Sequence, residues 1–399
     1  MRLPAPYGRL LLPVYVPSLL MAMSQEALLI LLPLYALELG AAPAYAALVV
    51  GVRGIGVLLF DVPAGMLVAR FGDKPVLIGG LTAILVGLLL LAAAQGPLSL
   101  AAAALLLGAG HAAWMLGRQS YIADTCANDE IGRAITVMAG LNRAGAFLGP
   151  AAGGLIAGAL GYPAAFVAGA GAALAAAVLA LGFAEHAAPA SVEPHELGWR
   201  GTARVVRAHA RVFATAGVAA FVLQLMRSTR QLLVPLFGQA IGLDVAVIGL
   251  VYSLSSALDM SLFYPVGVVV DRWGRKWSAV PSTALYALGL ALLPAASGFG
   301  SLLAVALLLG LANGLGTGIV MIMGADLARQ SGQQGQFLGV WRVLGDSGIT
   351  IAPLAVGAVV EAAGLAAASG AVAAVGLVGA VLVTFFVSET LERARPPVT

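Results

Sequence analysis

The apolar residues of this chain lie in long blocks, and this feature limits its fold more than any other. Each block is about 20 residues or longer, the length that a helix needs to cross a bilayer. Of the 399 residues, 61% are hydrophobic and 10% are charged, whereas soluble domains carry about 25% charged residues. The alternation of apolar and polar residues that membrane β-barrels require does not recur. The chain is therefore expected to be an all-α integral membrane protein.

Twelve such blocks are expected to cross the membrane, and we number them span 1 to span 12. They cover roughly residues 9–38, 45–70, 75–95, 98–123, 134–159, 163–184, 212–238, 246–270, 277–296, 301–325, 336–360 and 364–387.

The chain also repeats itself with an offset of 202 residues. The segment PAGMLVARFGDK begins at Pro63, and PVGVVVDRWGRK begins at Pro265. The same offset relates Asp124 to Asp326. A constant offset over so much chain indicates two copies of one unit, and such parallel repeats are typical of transporters whose halves rock about a central site.

The repeat and its charges predict the domain organisation. Two six-helix bundles related by pseudo-twofold symmetry are expected over residues 1–184 and 212–399, joined by a cytoplasmic linker over 185–211 that includes a short basic helix near 202–211. Alternate connections between spans contain no Lys or Arg. By the positive-inside rule, the basic connections and both termini are expected on the cytoplasmic side of the inner (plasma) membrane. This bias also explains the net charge of +3, so no nucleic-acid partner is expected.

Three stretches resemble signatures of the major facilitator superfamily. The repeated segments resemble its loop signature, which lies between helices 2 and 3 and again between helices 8 and 9. GAFLGPAAGG, which begins at Gly145, resembles the GxxxGPxxGG signature on helix 5 of its antiporter members. The resemblance covers essentially the whole chain and implies the twelve-helix fold, with the drug:proton antiporter (efflux) group as the most similar branch. It also implies a conformational role for Gly65, Arg70, Gly72, Lys74, Gly267, Asp271, Arg272, Gly274, Arg275, Lys276, Asp124, Asp326, Gly145, Gly149, Pro150, Gly153 and Gly154.

The chain departs from these family patterns in two places. In the first loop signature, Ala69 occupies the position of the acid and Asp73 replaces a basic residue. Asp271 keeps the acid in the second copy, where the resemblance implies that it stabilises contacts between the halves. The arginine that drug antiporters carry in the outer half of helix 4 is missing near Ala104, while Arg118 lies near the inner end.

Two pairings are expected near the loop signatures. Arg70 is expected to pair with Asp124, and Arg272 with Asp326. The alternative is that these basic residues only anchor the cytoplasmic face.

Ionisable residues inside the spans are the strongest functional signal, because they are costly in a membrane unless they are paired or hydrated. We expect proton coupling at Glu26, Asp61, Asp259 and Asp346, with Glu26 as the best single carrier. We expect substrate binding at Arg227, Arg230, Gln224, Tyr252, Arg143 and Asn142. For each charge the alternative is a structural ion pair, and that alternative is favoured for Asp61, Arg53 and Arg342. His111 is expected to be a packed histidine.

The spacing of these residues supports the assignment. Gln224 and Arg227 share one face of span 7, and Tyr252 and Asp259 share one face of span 8. The four acids inside the spans face five arginines, which allows a neutral, zwitterionic or anionic substrate.

The function predicted from the sequence is secondary transport. No P-loop, HExxH or GxSxG motif is present, so no enzyme activity, metal or cofactor is expected. The leading hypothesis is a monomeric, proton-coupled exporter of a small amphipathic molecule, in contact with membrane lipids. A flippase for a lipid or lipid-linked glycan is the alternative, and a non-transporting membrane sensor is a further one.

Overall fold

The computed structural model describes residues 7–184 and 199–390, most of which are helical along the predicted spans. Spans 1 to 6 are Gly8–Glu38, Pro43–Phe71, Asp73–Ala92, Pro97–Thr125, Asn128–Leu160 and Tyr162–Phe183. Spans 7 to 9 are Ala210–Ala240, Val245–Trp273 and Lys276–Ala295. Span 10 consists of two helices, Phe299–Leu315 and Ile319–Ser331, and spans 11 and 12 lie in Gln334–Phe385.

Ten helices in the described residues are long and apolar enough to cross a membrane. The difference from the twelve predicted spans has two sources. Gln334–Phe385 contains 52 residues and is interrupted at Gly364, where a φ of 84° breaks the helix, so it supplies two spans. Asn128–Leu160 contains 33 residues and is long enough, but its glycines and charged residues make it less apolar.

The backbone reproduces the sequence repeat. Span 1 contains a π-helical turn at Leu11–Tyr15, and span 7 contains another at Phe213–Gly217, at the same offset of 202 residues. The loop signatures also turn alike: Gly72 has a φ of 85° and Gly274 a φ of 115°, a region that side chains with a Cβ rarely adopt. The π-helical turns therefore recur at the repeat offset although LLPVY and FATAG differ in sequence, and the two similar loop signatures share a glycine with a positive φ.

By packing, the chain forms two compact units. Unit 1 comprises Met1–Glu193 and Gln231–Ser256, and unit 2 comprises Pro194–Arg230 and Ala257–Thr399. The predicted linker lies partly outside the described residues. Its predicted helix is present in unit 2 as Trp199–Ala208, with Val205 buried.

The glycines of span 5 pack span 5 tightly against span 1 in unit 1. A Cβ on Gly149 would overlap main-chain atoms of Met23, and one on Gly153 would overlap Ala27. Small residues at four-residue spacing allow this close approach of helices in lipid. The stripe predicted from the sequence is therefore a helix–helix contact surface.

Candidate functional site

The most connected polar cluster among the described residues lies in unit 2, around a break in span 10. The helix Phe299–Leu315 ends, residues 316–318 form a turn, and a new helix begins at Ile319. Gly318 stands in the left-handed region with a φ of 72°. At membrane depth, such irregular backbone is tolerated where protein or water satisfies its polar groups.

Side chains from spans 7 and 9 satisfy the carbonyl groups at this break. Arg227 donates from Nη2 to the carbonyl oxygen of Gly316 over 2.5 Å. Ser282 donates to the carbonyl of Ala312 over 2.7 Å, and Ser278 donates to that of Leu315. The break is therefore built into the packing of unit 2.

Arg227 contacts a second acceptor on its own helix. Its Nη1 donates to the side-chain oxygen of Gln224 over 2.9 Å, as their shared face predicts. The third donor, Nε, is buried and has no hydrogen-bond partner. Arg227 thus joins span 7 to the turn of span 10, and its Nε–H is among the guanidinium N–H groups that have no partner.

Asp259 is held by uncharged side chains of span 10. Asn313 donates from its amide to Oδ2, and Thr317 donates to Oδ1 over 3.2 Å. Arg227 binds the Gly316 carbonyl and not Asp259. The two residues are linked through the turn, since Thr317 follows Gly316 in the chain.

A tyrosine extends the network to Arg230. The Tyr286 hydroxyl is fully buried and donates to the Asn313 side-chain oxygen over 2.7 Å. Arg230, which is also buried, hydrogen-bonds the same hydroxyl. A continuous path of hydrogen bonds therefore runs from Arg230 through Tyr286 and Asn313 to Asp259.

Sequence analysis missed the uncharged members of this network. Charge identifies functional residues within apolar spans, and these members carry none: Tyr286, Asn313, Gly316 and Thr317. The amide of Asn313 within an otherwise apolar stretch of span 10 was the signal that could have revealed them.

The other predicted coupling and binding residues lie in different surroundings. Asp346 is 41% exposed and pairs with Arg342 over 3.9 Å, one turn away, as expected. Arg143 is half-buried and donates to the carbonyl of Ala139 on its own helix. Asn142 is exposed, Tyr252 is buried, and Asp61 is half-buried.

Glu26 lies in unit 1, half-buried, where its charge acts on the half-buried Arg53. Arg53 donates to the side-chain oxygen of Gln25. This neighbourhood is separate from the network around Asp259, which belongs to unit 2.

The lysines of the two loop signatures perform the same task. Lys74 donates to the carbonyl of Ala184 over 2.6 Å, and Lys276 donates to that of Thr384 over 2.9 Å. Each carbonyl lies at the C-terminal end of the last helix of its repeat, where helix dipoles favour a cation. Lys74 and Lys276 therefore each cap the last helix of their own repeat.

The carboxylate beside each lysine comes from a different place in each copy. In the first, Asp73 accepts from the Lys74 amide over 2.6 Å at the start of span 3. In the second, Glu389 accepts from the amides of Arg275 and Lys276 at the start of span 9. The departure at Asp73 thus supplies locally the carboxylate that a distant residue supplies in the second copy.

Asp326 lies at the centre of a charged cluster on unit 2. It accepts from Arg275 over 2.9 Å, from Arg329, and from the Thr390 hydroxyl over 3.1 Å. The expected partner Arg272 is exposed, so that pairing is wrong; Asp271 lies 3.8 Å from Arg275 and is 77% exposed.

The expected pair in the first copy is not formed either. Arg70 is exposed and stacks over the ring of Phe71 at 5.2 Å. Asp124 is also exposed. Asp124 has no equivalent of the Arg275 contact, because the first signature has Asp73 at the position of Arg275.

The comparisons with known proteins agree with this architecture. The family model described as Major Facilitator Superfamily matches residues 15–228 and again 216–399. No curated protein matches the chain.

Three solved structures have the same fold. A POT family transporter in complex with a thioalcohol-conjugated peptide has a TM-score of 0.77 and 11% identity, covering 93% of this chain and 94% of the other. A POT family transporter in complex with 5-aminolevulinic acid has a TM-score of 0.74 and 12% identity, covering 96% of both chains. The nucleoside transporter NupG, solved as a point mutant, has a TM-score of 0.77 and 15% identity, covering 94% and 99%. At these identities the likeness concerns the fold.

Proposed function

Since the chain belongs to the major facilitator superfamily, whose structures of this fold are membrane transporters, we propose that it is a proton-coupled exporter of a small amphipathic molecule. It is a multi-pass membrane protein and not an enzyme. In this proposal it works as a monomer among membrane lipids by alternating access, in the inner (plasma) membrane with both termini cytoplasmic. Its two moving parts are the bundles of residues 1–184 and 212–399.

One observation carries the proposal: the polar network in unit 2, in which hydrogen bonds join Arg230 to Asp259 and the turn at Gly316 and Thr317 links Arg227 to the same carboxylate. Asp259 receives hydrogen bonds from the neutral Asn313 and Thr317, and no cation among the residues that the structure describes is bonded directly to it. Such a carboxylate can accept a proton and keep its place. Proton coupling in this proposal rests on Asp259 and Glu26, with Asp61 and Asp346 as further candidates.

Arg227 supports the assignment of a substrate site beside Asp259. Its free Nε can bind an acceptor or negative group of the substrate, while Gln224 holds the rest of the guanidinium in place. Arg230 adds a second positive charge in the same region. This environment favours neutral, zwitterionic or anionic molecules over lipophilic cations.

The direction of transport is proposed from span 5. Its signature is similar to that of antiporters, and its glycines pack closely on span 1. Antiport lets an inward proton gradient drive a molecule outward, and one proton crossing 100 mV supplies about 2.3 kcal/mol.

The proposal is tested with purified protein in liposomes that contain a pH-sensitive dye. The candidate substrates are dialanine, 5-aminolevulinic acid, uridine and the lipophilic cation ethidium. We expect proton flux with at least one of the first three. Glu26→Gln and Asp259→Asn should each abolish gradient-driven accumulation of that compound but preserve its exchange at equilibrium.

The matched control is Glu361→Gln, which removes an exposed carboxylate and should transport normally. Normal accumulation of the compound by Glu26→Gln or by Asp259→Asn would show that the substituted residue has no part in proton coupling. Substrate movement by the wild-type protein without any proton flux would refute proton coupling itself.

A further inference from the structure

Unit 1 contains a group of basic side chains that the proposed site does not use. Arg118 is 2% exposed, in the interior of span 4. It donates to the Ser18 hydroxyl over 3.1 Å, contacts the Met115 sulfur, and lies 4.0 Å from the centre of the Trp114 ring. Among the described residues no carboxylate contacts it, and its Nε has no hydrogen-bond partner.

His111 lies two turns from Arg118 on the same helix. The charges that act on it are those of Arg53 and Arg118, which are both positive. Its Nδ1 is buried without a hydrogen-bond partner. Glu26 acts on Arg53, so the positive charge at the Arg118 end of the group is uncompensated.

An uncompensated guanidinium inside a membrane protein is costly, and such residues tend to be functional. A structural role would be better served by a carboxylate partner or by an apolar residue of the same volume. Arg118 Nε and His111 Nδ1 are buried without hydrogen-bond partners beside a positive charge, and such a combination of groups is complementary to an oxyanion.

The repeat places this group in a corresponding position to the proposed substrate site. His111 corresponds to Asn313 and Gln25 to Arg227, both at the offset of 202 residues. In unit 2 these positions hold the network around Asp259. In unit 1 the equivalent positions, Gln25 and His111, lie among the basic side chains of Arg53 and Arg118. These positive charges suit a negatively charged ligand.

We propose that Arg118, His111 and Arg53 form a binding site for the oxyanion group, carboxylate or phosphate, of a small solute. Arg118 supplies the main charge through its free Nε, His111 supplies a second hydrogen bond, and the Trp114 ring forms one wall. If this solute is the transported molecule, then the transported molecule carries a negatively charged group. The site itself does not depend on proton coupling, and its test measures binding alone.

The test measures the thermal unfolding midpoint and tryptophan emission of purified protein at constant ionic strength. Acetate, 5-aminolevulinate and inorganic phosphate are titrated separately, with chloride as the reference anion. We expect at least one of the three to give a saturable rise in the midpoint. Arg118→Met should weaken that response at least tenfold, while Arg70→Met, which removes an exposed arginine, should leave it unchanged.

The anion-free midpoint separates a binding site from a structural contact. Arg118→Met should unfold at the same temperature as the wild-type protein or higher, because it removes an uncompensated charge. Arg118→Lys keeps the charge and loses the planar donors, so it should fold normally and bind more weakly.

Three outcomes would overturn the proposal. One is an equal response of the wild type and both Arg118 variants to every anion. Another is a lower anion-free midpoint, or failure to fold, for Arg118→Met together with unchanged anion binding by Arg118→Lys. The last is a response confined to vesicles that contain phosphatidylglycerol, which would assign the arginine to lipid.

Discussion

Arg227 shows at the scale of a residue why this position needs a guanidinium. One side chain donates to Gln224 on span 7 and to the Gly316 carbonyl on span 10, and a third donor is free. An ammonium is a compact charge and cannot hold this planar set of directions. Arg227 is therefore suited to sense a ligand while it keeps the turn in place.

We expect Arg227→Lys to weaken substrate binding about tenfold, equivalent to about 1.4 kcal/mol, although the positive charge is retained. Binding is measured by counterflow of the compound identified in liposomes. Arg211→Lys is the control, because Arg211 is exposed near the start of span 7. Unchanged binding by Arg227→Lys would show that only the charge matters there, or that the substrate binds elsewhere.

At the scale of elements, the broken span 10 and the glycine stripe of span 5 serve different purposes. The break leaves carbonyl groups that side chains of spans 7 and 9 satisfy. The stripe on span 5 brings two main chains together and fixes their spacing. One element is thus held by polar side chains of other spans, and the other by close contact of two main chains.

Two glycines on span 5 allow this close contact to be tested. A Cβ on Gly149 would overlap the main chain of Met23, whereas a Cβ on Gly140 would meet open space. Gly140→Ala should be neutral or stabilise by about 0.5–1 kcal/mol, since alanine favours helix. Gly149→Ala should lower the thermal unfolding midpoint in detergent. Equal midpoints for the two variants would mean that span 5 does not pack closely on span 1.

At the scale of the whole molecule, the sequence repeat predicts the fold well, because irregular features of the backbone recur at the same offset. The π-helical turns at Leu11–Tyr15 and Phe213–Gly217 lie at corresponding positions. Spans follow from apolar length, which depends on the bilayer and not on tertiary detail.

The candidate site was less predictable, and the reason is physical. Charge in an apolar span identifies Arg227 and Asp259 individually, but their partners depend on how helices pack. The turn at Gly316 breaks span 10 without a proline, and the resulting carbonyl accepts a hydrogen bond from Arg227. The same limitation affected Asp326, whose partner is Arg275 and not Arg272.

The orientation of the whole molecule remains a prediction, and the chain is well suited to its test. The only cysteine, Cys126, is buried, and burial raises the pKa of its thiol, so the native protein should react slowly with maleimides. Gly96→Cys and Phe299→Cys place a thiol in connections that contain no basic residue. Gln333→Cys places one at an exposed position between spans 10 and 11.

We expect a membrane-impermeant maleimide added outside intact cells to label the cysteines at positions 96 and 299 and to leave the one at 333 unlabelled until the cells are opened. The reason is the positive-inside rule, because lysines and arginines are concentrated in the alternate connections. Reaction at 333 from outside, with protection at 96 and 299, would invert the topology. In a parallel arrangement of the two repeats, equivalent loops face the same compartment. Labelling of positions 96 and 299 from opposite sides of the membrane would therefore refute that arrangement.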